Sequence, residues 1–356
     1  MKIFCIVGFG RSGMDFLQSL FDNHPQISQF PGYFSFYEFY KLIIYEKNIK
    51  IISEIFINQY PHYFDSRLNK IEKHNKLGPK KNEHYLVNKE IFKKNFINLQ
   101  KKKLINIKNI LINLHFAYSS SIGKNIKLIK IIIINAHQIN NLDGLNKLNY
   151  KILFMIRNPI TSLNSGIKNW MNYNNKNLTP WFLFFQIKRI FTSLKEAITL
   201  NKKIYVIKLN DLHTKSHKTI KSLAKIMGIY LDKSLKTSSY HGKIWWGDML
   251  SVKNLKGFNR KYKDSYDKNI FFEQDIKCIE YYLKPLIKKY EFDSFSKNKI
   301  KFIKILPLKC EILVWKNVLL NLMIKEIFYI PYYWMKRIFI MNINIHKNLK
   351  YPKKIT

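Results

Sequence analysis

Residues 1–30, MKIFCIVGFGRSGMDFLQSLFDNHPQISQF, place a β-branched apolar run, a glycine-rich hexad and a helix-spaced stretch in direct succession. Lys2 to Val7 predicts a strand and Gly8 to Gly13 a tight loop. Met14 to Asn23 predicts a helix, with Phe16, Leu17, Leu20 and Phe21 at helical spacing and His24-Pro25 as its stop. Such a loop aims backbone N–H groups and a helix N-terminus at one point, which makes an anion site before any side chain is considered.

The residues separate the uses of this device. A Walker A loop needs Gly-Lys-Ser/Thr at the helix start, whereas Gly13 is followed by Met14 and Asp15, so a nucleotide kinase or ATPase is not expected. Gly8, Gly10 and Gly13 spell G-x-G-x-x-G after a strand, which keeps a dinucleotide-dependent (NAD) oxidoreductase as an alternative. Its second half is missing, because the window where an acid should meet the ribose reads QISQFPGYF, with no carboxylate and no convincing strand.

A chain of 356 residues can bury a sizeable core. Its three cysteines, Cys5, Cys278 and Cys310, are widely spaced and suggest neither a disulfide framework nor a cysteine metal site. A reducing, cytoplasmic location is expected, and a strand beginning at residue 2 leaves no room for a signal peptide. The net charge of +39 raises a second alternative, a basic protein that binds polyanions or a membrane surface. Only six of the 62 basic residues are arginine, and no arginine cluster or aromatic RNA-binding motif is present, so no specific nucleic-acid partner is expected. Where lysine is the default base, each arginine points to a planar, bidentate need.

Beyond an aromatic loop, Gln29 to Phe39, residues 40–125 alternate apolar and lysine-rich patches and predict a helical insertion with no visible chemistry. Short apolar runs at Lys130 to Ala136 and Lys151 to Ile156, ending at His137 and Arg157, suit buried parallel strands. Helices from about Pro159 to Trp170 and Pro180 to Leu200 precede a further strand, Lys203 to Leu209, and a helix ending near Gly228. Strands alternating with helices predict an α/β fold, a doubly wound, mostly parallel sheet with ligands at the carboxyl ends of its strands. That domain is expected over 1–300, followed by a basic, amphipathic helical extension over 301–356.

Three features, in order and each at a strand end, resemble the sulfotransferases over roughly residues 1–260. The first is Arg11-Ser12-Gly13 with its helix ending Asn23-His24-Pro25-Gln26, similar to the 5′-phosphosulfate loop. The second is Arg157-Asn158-Pro159 with Ser165 eight positions after the arginine, similar to the 3′-phosphate site. The third is Asn210-Asp211-Leu212, followed by SSYHGKIWWGDMLS (Ser238 to Ser251), which looks like the Gly-rich basic loop that closes over the nucleotide. Met14 and Asp15 depart from the pattern, standing where the family has two threonines. Asp15 is expected to be a first-turn helix acid pointing away from the ligand, since pointing inward it would repel the phosphosulfate.

The resemblance implies a P-loop-like fold and sulfuryl transfer from 3′-phosphoadenosine 5′-phosphosulfate to a hydroxyl acceptor, with no metal required. Arg11 and the backbone N–H groups of Ser12, Gly13, Met14 and Asp15 would hold the 5′-phosphosulfate. Arg157 and Ser165 would hold the 3′-phosphate, with Gly242, Lys243 and Trp245 closing over the nucleotide. For the base, His137, Glu38 and His115 compete. His137 is preferred because the cytosolic branch of the resembled family places its catalytic histidine after a strand about twenty residues before the 3′-phosphate arginine, the spacing that separates His137 from Arg157, and because an imidazole titrates near neutral pH. Glu38 is the rival because other branches of the family place a catalytic glutamate after the first helix. The acceptor is expected to be a carbohydrate or a lipid-linked glycan. Residues 312–340 mix aromatic, aliphatic and basic side chains in a way that suits peripheral docking at an inner membrane face.

Overall fold

The computed structural model describes residues 1–101, 103–173, 179–249, 257–296, 307–320, 324–342 and 350–356. Its centre is a five-stranded sheet of β1 (Lys2–Gly8), β2 (Ile27–Gln29), β3 (Ile131–His137), β4 (Tyr150–Ile156) and β5 (Ile204–Lys208). All neighbours are parallel, in the order β2-β3-β1-β4-β5. The near-continuous apolar strands are buried on both faces, as a doubly wound sheet requires, and two separate hydrophobic clusters cover those faces. The expected fold class is therefore observed.

Helix α1 (Met14–Phe21) follows β1, and the insertion supplies α2 (Phe36–Ile43), α3 (Ile49–Gln59), α4 (Pro61–Phe64), α5 (Lys89–Gln100) and α6 (Ile107–Ser121). After β4 come α7 (Pro159–Tyr173) and α8 (Pro180–Thr199). After β5 come α9 (Leu209–Thr214), α10 (Ser216–Met227), α11 (Glu273–Lys289), α12 (Lys309–Leu320) and α13 (Ile324–Asn342). The start of α8 follows from sequence alone: Thr179 caps it by accepting from Phe182 N at 3.2 Å, and Pro180 occupies the first turn.

Two sequence expectations are corrected here. Ile27–Gln29, within the window read as having no convincing strand, forms β2, three residues long and paired with Ile131–Ile133. So short an edge strand carries no period of its own and exists because β3 offers its backbone. The insertion is also not α-helical throughout, since residues 65–88 form one 3-10 turn (Ser66–Leu68), other turns and isolated bridges.

Between the insertion and the sheet lies an aromatic cluster centred on Phe30, which stacks on Tyr63 and meets Phe34, Phe56, Tyr118 and His115. His115 is a core residue here: Ser28 Oγ lies 3.3 Å from its Nδ1, while Nε2 is buried without a partner among the described residues. Burial pushes the His115 pKa down to about 3. The sign follows from linkage. The unfolded chain takes up this proton below about pH 6.5 and the folded chain does not, so stability is lost as pH falls. We expect this histidine to contribute a loss of about 1.4 kcal/mol per pH unit between pH 6.5 and 4. Urea denaturation of His115→Leu across that range should show a slope smaller by that amount, and an unchanged slope would refute the assignment.

Candidate active site

The turn from β1 into α1 is built from close approach and positive φ. A side chain at Gly8 would collide with the Met155 carbonyl of β4, so the strand end can lie against its neighbour only as glycine. Arg11 (φ 60°) and Gly13 (φ 85°) then reverse the chain in the left-handed region, and Ser12 closes the turn by donating from Oγ to Phe9 O at 2.6 Å. Ser162 of α7 donates to Gly10 O, fastening the loop to the next unit. Gly10 to Phe16 line a cleft of about 1080 Å³ over the carboxyl ends of β1, β3 and β4, where a doubly wound sheet binds ligands.

Arg11, Arg157 and Ser165 all line this cleft. Arg157 Nη1 donates to Arg11 O at 3.2 Å, so the guanidinium from the tip of β4 rests on the loop from β1. Ser165 stands two turns into α7, its hydroxyl accepting from Asn169 Nδ2 at 3.1 Å. Three of the cleft cations have an acidic neighbour drawn from residues 248–267. Arg11 makes two bonds to Asp248, at 2.7 and 3.4 Å, Arg157 Nε is 3.8 Å from Asp264, and Lys168 Nζ is 2.7 Å from Asp267. The Arg157 guanidinium also sits 5.6 Å from the Tyr262 ring centre, and Tyr262 continues a stack through His213 to Phe16.

The expectation that Asp15 points away from the cleft is overturned. Its Oδ1 accepts from His137 Nε2 at 2.7 Å and from Asn135 Nδ2 at 2.8 Å. The amide of Asn135 also donates to Gln18 Oε1 at 2.8 Å, so a buried polar side chain on β3 fixes the carboxylate that faces the histidine. Burial alone would lower the His137 pKa, but the charge and hydrogen bond of Asp15 outweigh it and hold the imidazole above its usual value. Burial alone would raise the Asp15 carboxyl, yet His137 and Asn135 bring it below the usual carboxylate range. With Nε2 engaged by Asp15, Nδ1 is the nitrogen left to take a proton.

Two cleft residues beside His137 escaped sequence reasoning. Glu72 lies in the turns of the insertion, its carboxylate accepting from Asn69 Nδ2 at 2.9 Å and packed over the Gly32 backbone. Burial and the neighbouring Asp15 charge push it up to about 7. Arg189 of α8 reaches back to donate from Nη2 to His137 O at 3.0 Å, bridging that helix to the strand end. The Asn69-x-x-Glu72 spacing was the only local signal for the first, and the scarcity of arginine for the second.

Other expected site residues lie elsewhere. Glu38 is exposed on α2, paired with Lys41 at 2.6 Å, and does not line the cleft. His115 is in the core. Gly242 and Lys243 are also off the cleft, with Gly242 N donating to Asp22 Oδ2 at 2.8 Å and Lys243 bound to Glu83 at 2.7 Å. Trp245 lines the cleft but is buried, its indole N–H donating to Glu72 O at 2.7 Å, so it holds the glutamate in place. Ser251, at the end of the Gly-rich segment, lies outside the described residues. Among the described residues, no group of three or more His, Cys, Asp or Glu side chains is placed to hold a metal ion.

No family model matches this chain, and no curated protein matches it. Among solved structures it is similar to the sulfotransferase domain from the Synechococcus PCC 7002 olefin synthase, at 14% identity and a TM-score of 0.41, over 73% of this chain and 84% of that one. It is also similar to the sulfotransferase domain from the curacin biosynthetic pathway, at 13% identity and a TM-score of 0.38, over 75% of this chain and 87% of that one.

Proposed function

We propose that the cleft transfers a sulfuryl group from 3′-phosphoadenosine 5′-phosphosulfate to a hydroxyl of a carbohydrate or lipid-linked glycan. The observation that supports this most directly is the meeting of Arg11 and Arg157, with the loop from β1, in one cleft that also holds the Asp15–His137 pair. Two guanidinium groups on adjacent strand tips suit a ligand with two separated phosphate groups.

In the transfer, the acceptor oxygen forms a bond to sulfur while the bond from sulfur to the bridging oxygen breaks and its electron pair stays on the phosphate. His137 Nδ1 takes the acceptor proton, with Asp15 orienting the ring and stabilising the imidazolium. Arg11 and the first N–H groups of α1 offset charge on the departing phosphate, and Arg157 with Ser165 holds the 3′-phosphate. Glu72, which lines the same cleft as His137, would accept a hydrogen bond from the acceptor. The dinucleotide alternative gains no support, since β2 ends at Gln29, whose amide donates to Gln18 O, where a ribose-binding acid would be needed.

The reading is tested with 3′,5′-adenosine bisphosphate, which is expected to raise the melting temperature of the wild type. Arg157→Ala should remove most of that shift, at a loss on the order of 1.5 to 3 kcal/mol of binding. Undiminished affinity in a folded Arg157→Ala protein would end the 3′-phosphate assignment.

A further inference from the structure

The two C-terminal helices divide their side chains sharply. On α13, Tyr333, Arg337 and Met341 are buried against the domain, and Ile327, Ile330 and Trp334 pack beside them. The opposite face carries Ile324, Phe328, Tyr332, Met335 and Phe339, with Ile324 and Phe339 66% exposed, Phe328 77% and Met335 63%. Their spacing of three and four residues puts them on one stripe about 23 Å long. Large aromatic and aliphatic side chains in a contiguous exposed row mark a contact surface.

The border of the stripe is basic. Lys325 is exposed beside it, and Lys336 is held there by aromatic rings, its ammonium 4.2 Å from the Tyr332 ring centre and 5.9 Å from that of Trp181 on α8. Trp181 is itself exposed and extends the apolar surface beyond α13. The one acid of α13, Glu326, is half-buried off this face.

We propose that this face docks in the plane of an anionic lipid surface. No helix among the described residues is long and apolar enough to cross a membrane. An apolar stripe bordered by lysines and aromatic rings is, however, the arrangement that lies at the boundary of headgroups and acyl chains. Charge selects the occupant. A second copy would bring another +39 chain and another lysine border against the first, whereas anionic headgroups neutralise both. The inference rests on α13 and is independent of the chemistry in the cleft.

The experiment is flotation of the full chain with vesicles of phosphatidylcholine alone and of phosphatidylcholine mixed with phosphatidylglycerol. The wild type is expected to float with the mixed vesicles and remain behind with the neutral ones. A Phe328→Ser, Met335→Ser, Phe339→Ser variant keeps every charge and should bind at least about tenfold more weakly, with an unchanged melting temperature because these side chains are exposed. Equal flotation of the two proteins would show attraction by diffuse charge alone and overturn the proposal. Wild-type protein left in the soluble fraction would overturn it too, as would a dimer, seen by light scattering, that the triple variant abolishes while neither protein floats.

Discussion

His137→Ala is expected to lower transfer of labelled sulfate to a hydroxyl acceptor pool by about 10² to 10⁴-fold, the usual contribution of a positioned base. Binding of the bisphosphate should be unchanged, since the groups proposed to hold it are Arg11, Arg157, Ser165 and the loop. Asp15→Asn tests the positioning role and adds a readout that a purely structural carboxylate would not move. A base must be neutral to act, so activity is expected to rise with pH through the His137 pKa, which Asp15 holds above its usual value against the opposing effect of burial. Removing that charge should lower kcat and move the acidic limb of the profile to lower pH. Glu72 provides the control. Wild-type turnover in His137→Ala beside an inactive Glu72→Gln would pass the proton to the carboxylate, whose raised value of about 7 would then set the limb.

Glu311→Ala is expected to destabilise the chain by about 3 to 5 kcal/mol, because it strips a buried guanidinium of its carboxylate. Glu311 and Arg337 are both fully buried, with Arg337 Nη2 at 2.9 Å and Nε at 3.0 Å from the two carboxylate oxygens. Tyr333 and the Leu308 N–H donate to the same group, so one carboxylate ties α12 to α13. Replacing both partners, as Glu311→Leu with Arg337→Met, should cost far less or stabilise, because no charge is then left in the apolar environment. Denaturation of the two variants side by side checks this. An equal loss in both would mean that shape, and not charge, holds the helices together.

What the sequence disclosed follows from range. The first loop, the apolar strands β3 and β4 and the capped start of α8 are specified by residues within a turn or two of one another, and they stand where the pattern puts them. Arg11, Arg157 and Ser165 meet because strand ends of one sheet share an edge, which topology alone guarantees. Glu72 was unreadable because it reaches the cleft from turns inside the insertion, held by Asn69 and Trp245, a contact that spans 173 residues. Asp15 was misread for a related reason. As a first-turn acid it satisfied a local rule, and only the pairing of β3 beside β1 brings His137 and Asn135 to it. Lys243 and Glu38 show the reverse error, since a plausible neighbourhood in sequence gave each a role while an exposed or half-exposed partner claimed it.

The acidic neighbours of the cleft cations give the protein a means of discrimination. A chain of net charge +39 offers cations everywhere, and small inorganic anions would settle on any guanidinium left open. Arg11 is held by Asp248, Arg157 stands near Asp264 and Lys168 binds Asp267, so an anion that reaches Arg11 or Lys168 competes with a carboxylate already bound there. A molecule that presents two phosphate groups at the right separation undoes two pairings but surrenders its freedom of movement once. Under the proposed function these carboxylates would set a threshold that a two-phosphate ligand clears and a single phosphate does not.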